Sequence, residues 1–412
     1  MGEASFANLL SVDDARARVL ESVEPLATEK VSLRDALGLV NAAEIRAPHP
    51  LPRFDNSAMD GYAVAAADTS GAGEFSPVEL EIVGEVRAGD SDDVVVVVPG
   101  AAARIMTGAP LPAGSDAIVM VEVTEEKDGK VLVKSAVEKG LHVRPAGDDV
   151  DAGEILVGEG LELGPGELAL LGSMGVTPVQ VRWGPRVALL ITGDELVDPE
   201  DEPGPGQIRD SNQLALLALL EQAGARPVLS ERVPDRREAV VEAFSRAAKA
   251  ADLVVSSGGV AVGRYDFVKD VIEELGHIEL WRVAMQPGKP VVLGSVSDVP
   301  FLGLPGNPVS VHVGFEQFVR PAIRRMRGCR SLLRPILDAT LTETITKRPG
   351  RLHFVRVRLS NRDHEWFATP TGSQGSHIQS SLVDCHGVAR FGREEAKLTE
   401  GQRVTVEIWR LP

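Results

Sequence analysis

Between residues 185 and 328, short apolar runs alternate with amphipathic stretches. RVALLI, SNQLALLALLEQAG, RPVLSERV, DRREAVVEAFSRAAKA, ADLVVS, YDFVKDVIEELG and HIELWRVAM follow one another, and PVVLG, PFLGL and a last helical stretch complete the series. A strand that is apolar throughout has no face to give to water, so it needs cover on both sides. Alternation with helices supplies that cover and leaves a parallel, doubly wound α/β sheet as the natural solution. The helical stretches carry their own signals. Phe267, Val268, Val271, Ile272 and Leu275 form one apolar stripe opposite Lys269, Asp270, Glu273 and Glu274. The last helix begins at Asn307-Pro308 and closes with Arg324, Arg325 and Arg327 before Gly328.

A chain of 412 residues exceeds one ordinary core, at about 150 residues per domain. Residues 1–48 read as helical with short breaks, and Ser11 is placed to cap a helix carrying Val12, Ala15 and Val19. Residues 49–149 change style, with VELEIVGEV, DDVVVVVP, DAIVMVEV and KVLVKSAV as strand-like runs in a β-rich unit. The stretch from 150 to 184 mixes strand signals with a short helix, GELALLGSMG, suited to packing against the first helices. Residues 1–48 and 150–184 are therefore expected to form one discontinuous, extended domain. Residues 329–412 return to alternation, as in LHFVRVRLS and QRVTVEIW, and read as a small C-terminal β-domain.

A net charge of −17 disfavours a grip on nucleic acid or an anionic membrane, so any anionic ligand needs a local basic pocket. Cys329 and Cys385 lack the spacing of a zinc site or a disulfide framework, and no apolar run reaches 18 residues. Together with an acidic N-terminus, these features predict a cytoplasmic chain without a membrane span.

Ligands of open α/β sheets bind beyond the carboxyl ends of the strands, and three loops there are unusual. In SSGGVAVGRYDF, Ser257, Gly258, Gly259 and Gly263 allow backbone N–H groups to approach an oxyanion at a helix start. Asp266 would repel that anion unless a divalent cation such as Mg²⁺ lies between them. Its other reading is a simple helix cap. Asp194, Glu195 and Asp235 leave other strands of the same sheet, so several acids can converge. RVAMQPGKP offers Arg282 and Lys289, and FLGLPGNP offers Pro305, Gly306 and a helix start at Asn307, although LPGNP alone also reads as a turn with an N-cap. In the β-rich unit, Asp55, Asn56, Ser57 and Asp60 surround a buried-looking Met59, and Thr107-Gly108 lies in a turn-rich loop. His312 reads as a packed side chain, and no nucleophile-histidine spacing suggests a hydrolase.

PRFDNSAMDGYAV, RIMTGAPLPAGSDAIV, ITGDEL, IRDSN, SSGGVAVGRYDF, MQPGKP and LPGNPVS, in this order, resemble the MoeA family of molybdopterin molybdenumtransferases, which includes the E domain of gephyrin. The resemblance implies an elongated homodimer of four-domain subunits, with a β-rich second domain inserted into the first and a β-barrel-like fourth. It implies insertion of molybdate into adenylylated molybdopterin, with Mg²⁺-dependent release of AMP. By motif it implies roles for Asp55, Thr107 and Asp149 in the second domain and for Glu195, Asp235 and Asp266 as catalytic acids, with Glu195 and Asp266 toward the metal. Arg282, Lys289, Pro305, Asn307 and Pro308 fall at substrate-binding positions, and Arg356 and Ser376 near molybdate. Arg282 and Gln286 stand where relatives often carry lysine, which leaves Lys289 as the firmer anion contact. The second domain of one subunit would face the third of the other, giving a composite site. Contact with the molybdopterin adenylyltransferase and with molybdoenzyme maturation proteins is implied as well. An adenylyltransferase of the pterin, or a gephyrin-like scaffold, is the alternative reading.

Overall fold

A computed structural model describes residues 9–259 and 267–412. The alternating stretch forms, in chain order, Arg186–Thr192 (β1), Asn212–Gln222 (α1), Arg226–Val233 (β2), Arg237–Ala250 (α2), Leu253–Ser257 (β3), Phe267–Leu275 (α3), Gly276–Arg282 (β4), Pro290–Val296 (β5), Val299–Leu304 (β6) and Pro308–Gly314 (α4). The six strands lie in the order β2-β1-β3-β6-β5-β4. The pleat sorts the side chains of β1 by parity. Val187, Leu189 and Ile191 pack with Leu216 and Leu220 of α1 and Val311 of α4, while Ala188 and Leu190 face Val240, Phe244, Val271 and Ile272 of α2 and α3.

The sheet is doubly wound, with one departure from a wholly parallel arrangement. Strand β5 runs antiparallel to both neighbours. Ser297 and Asp298, at φ of 48° and 67°, join β5 to β6. Two residues with positive φ make a tight hairpin, and a hairpin reverses direction. Helix α4 runs on through a π turn, Phe315–Val319, into Arg320–Met326, and Gly328 at φ 72° ends it.

The helix Val12–Glu21 is capped as its sequence suggests, with the Asp14 N–H donating to Ser11 Oγ at 3.0 Å. Its apolar face joins the core of the α/β unit through Val12, Ala15 and Val19, and among the first helical segments it is the short turn Leu33–Asp35 that the helix Pro165–Ser173 packs against. Arg16 explains the choice: its Nε donates to the Gln317 carbonyl at 3.1 Å, tying this helix to the π turn. Pro165–Ser173 packs instead through Leu171 in a cluster with Leu33, Leu39 and Val181. Strand Val179–Arg182 lies between Glu29–Val31 and Val40–Asn41, joining segments some 140 residues apart in sequence.

A six-stranded sheet fills the β-rich stretch, with Ala101–Ile105 paired between Gly61–Val64 and Val78–Val86. Toward the C-terminus, Leu352–Arg362, Glu365–Pro370, Ile336–Leu341, Arg403–Ile408 and Gly387–Phe391 pair in turn. The last pairs again with the first, closing a five-stranded barrel. Met285–Gln286 pairs in parallel with Leu352 and His353, so the QPGKP turn is held against the barrel. Both cysteines are buried and free, and among the described residues no helix is long and apolar enough to cross a membrane.

Candidate functional site

At the carboxyl ends of β1, β3 and β6 lies a cleft of about 470 Å³. Thr192, Ser257 and Gly258 form its floor, Asp210 and Asn212 one wall, and Gly306 to Pro308 another. Backbone crowding makes the floor. Gly258, at φ 88°, donates its N–H to the Leu304 carbonyl at 3.1 Å. A Cβ on Gly258 would sit 2.5 Å from the Thr192 carbonyl oxygen and 2.7 Å from Thr192 Oγ1, so only glycine fits. Asn212 then ties two walls together, donating from Nδ2 to the Gly306 carbonyl at 2.7 Å and to Ser257 Oγ at 3.2 Å.

At neither helix start beside the cleft does the polar residue heading the helix, Ser211 or Asn307, make a side-chain cap bond. Ser211 has helical φ and ψ and makes no cap bond, and Asp210 caps α1, its Oδ1 accepting the Gln213 N–H at 3.0 Å. A capping side chain reaches the N–H three residues on, and Asp210 stands at that distance. Asn307 precedes α4 with extended backbone and Pro308 follows at the first helical position, although the Asn307 side chain makes no cap bond. The Val309 N–H is met from the barrel, donating to the Ser376 carbonyl at 3.2 Å, and the neighbouring His377 also lines the cleft.

Acidic groups gather beside the cleft. The Asp235 N–H donates to Asp194 Oδ1 at 3.0 Å, and Glu195 is exposed at the cleft edge. Partial burial pushes the Asp235 carboxyl up from the usual carboxylate range, and the charges of Asp194 and Glu195 push it the same way. Among the described residues no three His, Cys, Asp or Glu side chains form a closed metal cage. Gly263 and Asp266 lie outside the described residues.

The QPGKP turn and the barrel carry the predicted cations Arg282, Lys289 and Arg356, none of which lines the cleft. Arg282 is exposed at the end of β4, opposite Pro290. Lys289 is half-buried, its carbonyl accepting the Val283 N–H at 2.9 Å, and Pro305 is buried at the end of β6. Arg356 is fully buried. Its Nε donates to Ser381 Oγ at 2.8 Å and its Nη2 to the Ser373 and Gly375 carbonyls, both at 3.2 Å, while Nη1 has no partner among the described residues. Burial lowers the Arg356 pKa to about 10. Ser381, Asp210 and Thr192 were not singled out from the sequence. Asp210 carried one usable signal, an aspartate immediately before Ser-Asn and the helix they open.

In the β-rich unit, three motifs distant in sequence meet. Asp55 Oδ1 accepts the Ala146 N–H at 2.7 Å. Asp60 Oδ1 accepts both the N–H and the hydroxyl of Thr107, at 2.7 and 2.8 Å, which holds its carboxyl below the usual range. Asp149 is exposed, its N–H donating to the Leu51 carbonyl at 3.0 Å. Met59 is 41% exposed rather than buried, because strand Asn56–Ser57 ends before it and it falls in the turn leading to Gly61–Val64. None of these residues lines the cleft of the α/β unit.

Comparison with known proteins covers almost the whole chain. Residues 10–175 match the MoeA N-terminal region (domain I and II), 188–325 a probable molybdopterin binding domain, and 338–409 the MoeA C-terminal region (domain IV). The chain is 36% identical over 403 residues to the molybdopterin molybdenumtransferase of Haemophilus influenzae, spanning 97% of this chain and 98% of that one. It is also 36% identical over 408 residues to molybdopterin molybdenumtransferase 2 of Mycobacterium tuberculosis, covering 97% and 99%. A crystal structure of a molybdopterin biosynthesis MoeA protein from Pyrococcus horikoshii superimposes with a TM-score of 0.84 at 29% identity, over 98% of this chain and 100% of that one.

Proposed function

The chain belongs to the MoeA family of molybdopterin molybdenumtransferases, and from that premise we propose that it is a transferase that inserts molybdate into adenylylated molybdopterin, releasing AMP and molybdenum cofactor. The observation that carries the reading is the cleft at the ends of β1, β3 and β6, with Glu195 at its edge and glycine and helix-start backbone in its walls.

Each group of residues has a task in this reading. Ser257, Gly258 and Gly259, with Gly306 and the start of α4, orient the anionic groups of the substrate. Lys289 and Arg282 compensate their charge locally in a chain that is acidic overall. Asp235 and Glu195, with Asp266 by its motif, suit Mg²⁺, since burial first and then the charges of Asp194 and Glu195 push the Asp235 carboxyl up, and a hard cation held partly through water would relieve the repulsion. Bound there, Mg²⁺ supplies charge neutralisation at the phosphoanhydride. The buried cation Arg356, held by the Ser381 hydroxyl, suits molybdate as substrate, and Ser376 fixes the barrel loop on the start of α4. The dithiolene of the substrate ligates molybdenum, so neither buried cysteine is needed.

Asp55, Thr107 and Asp149 act from a partner subunit in a homodimer with a composite site. The exposed Phe54, Met59 and Met106 beside them support this, because they are large apolar groups at the edge of a polar motif cluster. The enzyme works in the cytoplasm, receiving substrate from the molybdopterin adenylyltransferase and passing product to molybdoenzyme maturation proteins. The test is AMP release from adenylylated molybdopterin with and without molybdate. Stimulation by molybdate is the expected result, and folded protein that releases no more AMP with molybdate than without it refutes the assignment.

A further inference from the structure

Two buried polar atoms of the cleft have no partner among the described residues: Asp210 Oδ2 and Thr192 Oγ1. Asp210 is only 2% exposed. One of its oxygens is committed to the Gln213 N–H, and the other, on a residue that lines the cavity, is buried without a partner among the described residues. A carboxylate removed from water with an unused oxygen is costly unless something supplies a donor or a positive charge. A residue lining the cleft therefore carries an unsatisfied acceptor, and a ligand that reaches it must bring what that acceptor lacks.

The surroundings decide which. Of the charged residues that line the cleft with Asp210, Arg209 is paired with Glu202 and the Asp201 carbonyl and Glu195 is exposed at the edge, which leaves the uncharged Thr192, Ser257 and Asn212, and the described residues hold no three-acid cage. Hydroxyl and amide neighbours suit a neutral, directional N–H donor better than a cation stripped of its waters. Resting on the reaction proposed above, we infer that Asp210 Oδ2 accepts a hydrogen bond from an exocyclic amino group of the substrate's heterocycles, making Asp210 a specificity-determining residue. Two such amines exist in an adenylylated pterin, the 2-amino group of the pterin and the 6-amino group of adenine. Thr192 Oγ1, which can donate or accept, serves the ring nitrogen or carbonyl beside that amine.

The conservative variant isolates this role. In Asp210→Asn the side-chain oxygen keeps the cap bond to the Gln213 N–H, and the amide NH₂ takes the place of the open oxygen. An acceptor becomes a donor while α1 stays capped. The experiment measures binding by calorimetry for two matched pairs of probes, neopterin against its 2-oxo (lumazine) analogue and AMP against IMP. Each pair exchanges one amino group for a carbonyl. The wild-type protein is expected to prefer the amino member of one pair by about tenfold to a hundredfold. Asp210→Asn is expected to abolish or invert that preference without lowering the thermal unfolding midpoint, and the pair affected identifies the heterocycle. Lack of preference in both wild-type pairs, or a preference that survives in Asp210→Asn, overturns the inference. A variant that keeps both ratios and instead shifts Mg²⁺ half-saturation overturns it in favour of a cation ligand. Because binding is read without turnover, failure of molybdate-stimulated AMP release in the wild type would sink the reaction and leave the amine preference separately measurable.

Discussion

Gly258→Ala is the substitution whose effect the structure fixes most closely. At φ 88°, alanine takes a left-handed backbone that costs about 1–2 kcal/mol. Its Cβ would then lie 2.5 Å from the Thr192 carbonyl oxygen, about 0.8 Å short of an ordinary C···O contact of roughly 3.3 Å. The obstacle is backbone in a central strand, so it cannot swing away, and overpacking of this kind costs about 1–3 kcal/mol more. The expected loss is about 2–5 kcal/mol, and any relief separates the ends of β1 and β3 and deforms the floor of the cleft. Gly206→Ala is the matched control. Its φ of 83° is nearly the same, but nothing lies within 4 Å of the added Cβ, so only the conformational part of about 1–2 kcal/mol applies. Denaturant unfolding and molybdate-dependent AMP release measured on both variants separate the two contributions. The structure predicts that Gly258→Ala loses the larger stability and at least about tenfold in turnover, while Gly206→Ala retains turnover. Two variants with equal stability and equal turnover would refute the reasoning about the Thr192 contact.

Asp235→Asn removes a carboxylate that burial and two neighbouring acids disfavour, so its unfolding midpoint at pH 7 should stay level or rise while AMP release falls at least about tenfold; scanning calorimetry and turnover check both. His353, buried in the barrel with neither ring nitrogen partnered among the described residues, is pushed down to about 4, first by burial and then by Arg356, Lys347 and Arg351. It is neutral in the fold, so the unfolded chain takes the proton first: the contribution is complete above about pH 6.5 and disappears as pH falls to about 4, a swing of about 3 kcal/mol. His353→Leu should flatten that part of the stability-pH curve, and an unchanged slope would assign it to other groups. Mixing inactive Asp55→Ala with inactive Glu195→Ala subunits should restore about a quarter of wild-type turnover if each site draws on two chains, since half of the dimers then hold one intact site. No recovery after verified subunit exchange would place both residues in one chain's site.

Much of the α/β unit was legible because its signal is local and repeated. Each strand of RVALLI type is apolar throughout, each helix has one stripe, and the order of elements then limits the topology. The reversal of β5 was less visible, since its cause is the backbone of Ser297 and Asp298, residues that adopt positive φ only in context. The placement of Val12–Glu21 on the α/β core was hidden for a different reason. An amphipathic helix declares that it has a buried face, but the partner is chosen by distant groups such as Gln317. The same limit applies at the site. Glycine pairs and acidic strand ends stand out in a sequence, and Asp194, Glu195 and Asp235 do come together. An unfilled acceptor such as Asp210 Oδ2 is a property of burial and of the partners a group lacks, neither of which is written in residue order. Ser381 likewise meets Arg356 only because the barrel loop folds back on Leu352–Arg362.

The most direct test of the account is a crystal structure of the protein bound to adenylylated molybdopterin. The ligand is predicted to occupy the cleft walled by Thr192, Asp210, Ser257 and Gly306, with its phosphates toward the glycines and the start of α4. A fully occupied ligand elsewhere on the molecule, with that cleft holding only water, would contradict it.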